Sequence, residues 1–262
     1  VVAGLMAATL AMPVHAADLP SMAAPPVFVA PPMFTVVIAA GPMVEQSFPG
    51  SKAFTVLPSV HLAYLKPGEH DVFYTPDDSF DIVVFDNGIF RFGPAGNFLN
   101  RRGLSDGNGQ FKGLPNVRYS IELGGFVEIW PLKDHLRIRG EIRKAVTGYD
   151  GLVGSIGGDA IGQFGPFQAS IGPRFKFGDQ RYADRFFTIT PFEAAANGLV
   201  TPYKASGGLT SYSATLFGGY DRLASSVGAS PVATVLGTRD QFTAGVTLAY
   251  RFGFKGFGVF GY

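Results

Sequence analysis

Apolar and polar positions alternate with a period of two over most of the chain. In 240–254, Phe242, Ala244, Val246, Leu248, Tyr250, Phe252 and Phe254 hold one parity. Gln241, Thr243, Gly245, Thr247, Ala249, Arg251 and Gly253 hold the other. Successive side chains of a strand point to opposite faces, so such a segment has one apolar face and one small or polar face. The same rule sorts 167–177 (Phe167, Ala169, Ile171, Pro173, Phe175, Phe177 against Gln168, Ser170, Gly172, Arg174, Lys176), and it holds in 117–129 and 135–143. These runs reach the roughly 9–11 residues that a tilted strand needs to cross a bilayer. A soluble β-sandwich also alternates, but its strands average about 5–6 residues. The apolar faces here also end in Tyr212, Tyr220, Tyr250 or Phe254, as an aromatic girdle would. The pattern predicts an all-β fold: a transmembrane, antiparallel, up-and-down β-barrel.

Ten segments carry the alternation: 34–45, 53–65, 71–85, 88–99, 116–130, 133–146, 151–163, 165–178, 206–222 and 239–254. Asp86-Asn87-Gly88 is a tight hairpin signal, and Pro131-Leu132-Lys133-Asp134 and Gly165-Pro166 mark further turns. One short helix is expected at 191–197 in the long connection 179–205. Thr190 is its cap, Pro191 its first residue, Glu193 completes a capping box and Gly198 stops it. With ten strands and both ends in the periplasm, several tight turns fall outside and the long connections 101–115 and 179–205 fall inside, the reverse of the usual arrangement. Twelve strands, with 181–189 as one of the additional two, is the alternative.

The first residues change the picture of where the chain goes. Residues 1–14 are uncharged and apolar or small, and Val14-His15-Ala16 reads as a small-residue cleavage site, so 1–16 is expected to be a secretory signal peptide. Residues 17–32 carry Pro20, Pro25, Pro26, Pro31 and Pro32 and read as an extended Pro/Ala linker, leaving 33–262 for the barrel. Composition agrees: 16% of residues are charged and 47% hydrophobic, with 25 Phe and 35 Gly, which excludes a disordered chain. Zero cysteines exclude disulfides and thiolate metal sites. A net charge of +1 gives no basic field for nucleic acid.

Three stretches resemble the MltA-interacting protein (MipA/OmpV) family of Gram-negative outer-membrane proteins: GYDGLVGSIGGDA at 148–160, IGPRFKFGDQRYADRFFTITPFEAAANGL at 171–199 and GTRDQFTAGVTLAYRF at 237–252. EQSFPGSKAFTVLPSVHLAYL at 45–65 and NGIFRFGPAGNF at 87–98 agree more loosely. The resemblance implies a barrel in the outer membrane, surrounded by its lipid, with a scaffolding role that brings a murein hydrolase near a murein synthase. It brings no catalytic motif and no cofactor. This chain continues for ten residues past the family's usual Tyr-Arg-Phe ending, here Tyr250-Arg251-Phe252.

The inward parity holds Arg118, Arg137, Arg139, Arg143, Arg174, Lys176 and Arg251 against Glu122, Glu128 and Glu141. A base-rich lumen could be an anion-favouring pore for small solutes. The plainer reading, preferred here, is a cross-strand charge ladder filling a small barrel. Catalysis finds little support. Ser59 and His61 share one face, but a hydrolytic pair there needs an acid and an oxyanion hole, and no GxSxG occurs. Asp77, Asp78 and Asp81 read as an exposed acidic loop, and Ser105-Asp106-Gly107-Asn108-Gly109 lacks the terminal acid of a calcium loop. No catalytic, cofactor or metal residues are assigned.

Overall fold

The structure is a computed structural model describing residues 33–65, 73–75, 77–103, 109–164, 167–216, 218–245 and 248–255. Its strands all belong to one largely antiparallel sheet of thirteen. They are β1 (Met33–Gln46), β2 (Phe54–Leu65), β3 (Phe80–Asp81), β4 (Phe85–Asp86), β5 (Phe90–Leu99), β6 (Ser120–Leu132) and β7 (Leu136–Ala145). Then come β8 (Leu152–Phe164), β9 (Phe167–Gly178), β10 (Gly208–Leu216), β11 (Gly218–Leu223), β12 (Asp240–Gly245) and β13 (Leu248–Lys255). Each long strand pairs with its sequence neighbour from β5 to β12, and β12 and β13 both pair with β1. The sheet curls until Leu62 of β2 forms a parallel bridge with Ile82, the residue just after the short β3. The expected all-β, up-and-down barrel is the observed architecture.

Alternation decides which residues face out. Ile138, Ile142, Ile156, Ile171, Phe175, Tyr212 and Phe242 are exposed on the outer face, while Arg137, Arg139, Glu141 and Arg174, one residue away on the same strands, are buried inside. Apolar side chains outside and charge within invert a soluble core. No helix among the described residues is long and apolar enough to cross a membrane.

Ten staves build the wall once β12 and β13 are counted as the two parts of one stave and β3 and β4 as short patches on β5. They are not the ten expected. The segment 206–222 is a hairpin of two staves, β10 and β11, in register from Ser211–Leu223 to Leu216–Gly218. The segment 71–85 is not a stave. Its residues Phe73, Thr75 and Ser79 are buried, and only 80–86 runs along β5, through Ile82 N–H to Pro94 O at 3.1 Å and Val84 N–H to Phe92 O at 3.0 Å. Alternating residues had suggested one more wall strand, but Asp77 and Asp78 find cationic partners inside that the wall could not provide. The region 181–189, a strand in the twelve-stranded alternative, is mostly α1 (Gln180–Phe187).

This change of one stave reverses the ends. Met33 is in register with Lys255, so both ends of the described wall lie at the same end as the tight turns 87–89 and 133–135. At that turn Asn87 accepts from the backbone N–H of Phe90 at 2.7 Å, and Gly88 takes a φ of 86°. The long connections 100–119, 179–207 and 224–239 all leave from the opposite end.

There they fold together into a cap. Helix α2 (Pro191–Asn197) is the helix expected, with Thr190 and Glu193 forming the capping box and Gly198 in the left-handed conformation. Helices α1 and α3 (Ser225–Ala229) and a π-helical turn, Val232–Leu236, were not foreseen. Their core joins Phe48, Phe111, Leu114, Tyr182, Phe186, Phe187, Ile189, Val227, Val232 and Leu236. Arg102 crosses under α1 and donates to the Phe186 carbonyl at 2.6 Å, while Ser230 Oγ donates to that of Phe187 at 2.5 Å. Two carbonyls that the helix end leaves free are thereby satisfied.

Candidate functional site: the charged lumen

Inside the wall, cross-strand register sets charges side by side. Arg91, Glu128 and Arg139 lie in one row across β5, β6 and β7, and Arg137 faces Asp159 across β7 and β8. Arg139 Nη1 reaches Glu128 at 2.6 Å, and its Nη2 reaches Glu141 at 2.5 Å and Asp81 at 2.7 Å. Arg137 contacts Asp78 at 2.8 Å, Glu128 at 3.2 Å and Asp159 at 2.7 Å, with Arg137 and Asp159 both 0% exposed. Arg174 takes Asp159 at 2.7 Å and Asp77 at 3.0 Å, and Lys176 takes Asp221 at 2.6 Å. Nearer the cap, Arg143 pairs with Glu122 at 3.1 Å and also with Glu141. Tyr149 donates to Glu122. Burial, and then the neighbouring Glu122 carboxylate, push the Tyr149 phenol well up.

Aromatic rings separate these layers. Arg137 lies 4.7 Å from the Phe73 ring centroid, Arg139 4.2 Å from that of Phe126, and Arg91 5.6 Å from that of Trp130. Room for the guanidinium groups comes from glycine. A Cβ on Gly157, which is in register with Arg174, would lie 2.3 Å from Arg174 Cδ. A cavity of about 190 Å³ remains between this network and the cap, bordered by Glu45, Asp77, Lys176, Asp221 and Tyr182.

Seven of the ten candidate lumen charges, Glu122, Glu128, Arg137, Arg139, Glu141, Arg143 and Arg174, therefore meet in one network, and an eighth, Lys176, forms a separate pair with Asp221. Arg118 does not. It lies exposed before the start of β6, outside the barrel. The side chain of Arg251 is outside the described residues, as is Ser105–Asn108. The expected excess of bases over acids is also corrected. Asp77, Asp78, Asp81, Asp86, Asp159 and Asp221 all pair with lumen cations, so among the described residues acids outnumber bases there. Three of these acids arrive on the 77–81 segment, which is no exposed acidic loop but an internal plug. Each of the three meets an arginine, and no group among the described residues is arranged to hold a metal ion. Asp159 and Asp221 sit at inward positions of β8 and β11 amid glycines, where the alternation is faint.

The Ser59–His61 pair does form, with Oγ and Nε2 3.1 Å apart, and the imidazole stacks on Tyr74 with centroids separated by 3.8 Å. His61 Nδ1 meets no hydrogen-bond partner among the described residues, so among them no acid orients the imidazole as in a catalytic triad.

Comparison with known families fits this geometry. The model of the MltA-interacting protein family matches residues 38–252, from within β1 to within β13. The chain belongs to the MltA-interacting protein family. No curated protein and no solved structure matches it. The match spans wall, lumen network and cap alike.

Proposed function

We propose that this family member is an outer-membrane barrel with a structural, scaffolding role, exported by the signal peptide 1–16 and docking murein-cleaving or murein-synthesising enzymes at its periplasmic end. The observation that carries the reading is the filled lumen: a barrel built for passage would not commit its interior to buried ion pairs crossing from wall to plug. The apolar outer face supports the membrane setting, and the family's description as an MltA-interacting protein supports a murein-enzyme partner.

Barrel ends and short turns normally lie in the periplasm. That rule puts the turn end, with the Pro/Ala residues that precede Met33, on the side of murein, and it puts the cap outside. The connections 101–115 and 179–205, attractive docking surfaces by length, are then on the wrong side. Capture of a purified lytic transglycosylase tests this. Removing 17–32 is expected to abolish capture, and Phe192→Ser with Leu199→Ser on the cap is expected to leave it intact. The opposite pattern overturns the assignment. A small-solute channel, the alternative raised by the lumen arginines, requires steady conductance in a planar bilayer; a silent barrel is the expected result.

A further inference from the structure

Among the described residues, no strand lies between β2 and β5 on the cap side of Phe80. Below that point β3 fills the space, with the Phe80 ring lying over Gly96 so closely that a Cβ there would come within 2.3 Å of it. Above it, 77–79 turns into the lumen and the wall opens as a lateral window of about 680 Å³. Its floor is the Leu62–Ile82 bridge. At its upper rim a side-chain hydrogen bond joins the two edges, Asn100 Nδ2 to Thr55 Oγ1 at 3.4 Å.

The chemistry of the window restricts its occupant. The outer rim is formed by exposed Val60, Leu62, Phe80, Ile82 and Leu123, continuous with the apolar outer face. The polar groups at the inner end are already engaged: Asp78 with Arg137, Asn97 Nδ2 with Glu122 at 3.4 Å, and Ser59 with His61. A charged headgroup would find no free counter-charge among them. The Thr55–Asn100 contact ties the two edges together at the upper rim, so a β-strand inserted along both edges would have to break it. A slender apolar chain fits both the taper and the lining.

We infer that the window receives one acyl chain of a bilayer phospholipid, entering sideways from the membrane. The inference rests on the membrane reading above. The test is photolabelling of the purified full chain in phosphatidylcholine vesicles whose acyl chains carry a mid-chain diazirine, with adducts mapped by mass spectrometry. Expected are adducts at outward Ile156 and also at inward Ser59 and Ala95, with none at inward Ser155 on the closed wall. Leu57→Trp, which fills the window, should lower the Ser59 and Ala95 adducts several-fold and spare Ile156. Ser59→Phe replaces it should that variant misfold.

Labelling of Ile156 without Ser59 or Ala95 overturns the window and leaves the membrane reading standing. No labelling anywhere overturns both. Cross-linking of β2 to a second copy of the chain would show a protein strand in the window and also overturn the proposal.

Discussion

Arg137→Ala is the perturbation that probes the lumen most directly. Its guanidinium is fully buried against carboxylates of β6, β8 and the plug, at 3.2, 2.7 and 2.8 Å. Removing one partner of a buried ion pair leaves an uncompensated charge and typically costs about 3–5 kcal/mol. Here Asp159 retains Arg174, and Glu128 retains Arg139, at 2.7 and 2.6 Å. Asp78 keeps the Thr75 backbone N–H at 2.9 Å, but its one remaining cationic contact is a longer one, to Arg139 at 3.8 Å. One carboxylate, not three, is stranded, so about 3–5 kcal/mol is the expected loss, or two to three and a half powers of ten in the folding equilibrium. The protein's single tryptophan reports it. Trp130 donates to Glu128 at 3.1 Å and packs edge-on against Phe73 of the plug at 6.3 Å, so its fluorescence follows the lumen during urea unfolding in detergent. Arg118→Ala, exposed outside the barrel, serves as the control and should stay within about 0.5 kcal/mol. Adding Asp78→Asn to Arg137→Ala should restore part of the loss, since the stranded charge is then gone. A loss below about 1 kcal/mol for Arg137→Ala, or no rescue in the double variant, would refute the claim that ion pairing anchors the plug.

In the cap, Phe186→Ala removes a ring that is 0% exposed in the centre of the aromatic cluster and should cost about 3–5 kcal/mol, read as early proteolysis of 179–205. Thr190→Ala breaks the capping box of α2 and should cost about 1 kcal/mol, measured as faster amide exchange over 191–197. Burial pushes the Asp184 carboxyl up, but hydrogen bonds from Lys204, Thr188 and Gln180 outweigh it and hold the group below its ordinary range. A depressed carboxyl stabilises the fold above its unfolded value of about 3.9 and loses that contribution as pH falls through the folded value. Proteolysis of the cap should therefore accelerate below about pH 4 in the parent, and Asp184→Asn should flatten this dependence.

Period-two alternation was enough to place the wall, because a barrel that is apolar outside and charged inside writes both faces into every stave. It failed where local pattern and tertiary partner disagreed. Residues 71–85 alternate, yet Asp77 and Asp78 lie next to each other and both are buried, which no single strand face allows. Their arginine partners on β7 and β9 decide the path. In 206–222 the fault is opposite: the sequence between β10 and β11 lacks the Asn-Gly or Pro signal that marked 86–88 and 131–134, so two staves read as one. The cap was legible only at α2, whose Thr190, Pro191, Glu193 and Gly198 spell out both ends, whereas α1 begins at Asp179 with no capping box and hides in a run that also scores as strand.

One stave more or less would be a detail in a soluble sheet. In a barrel it decides which end meets which compartment, because every stave crosses. Counting 71–85 as a crossing sent the long connections to the same side as the termini; folding it inward returns them to the opposite side, beside one another, where they share a core with Phe48 from the β1–β2 turn. The same inward fold supplies the acids that neutralise the lumen arginines, and it leaves the gap between β2 and β5 through which the wall opens sideways. Plug, charge balance, orientation and window are thus four consequences of one event. Asp77 and Asp78 meet arginine inside, which a fifteen-residue stave in the wall would not offer both of them, and a single variant that frees the plug should disturb all four together.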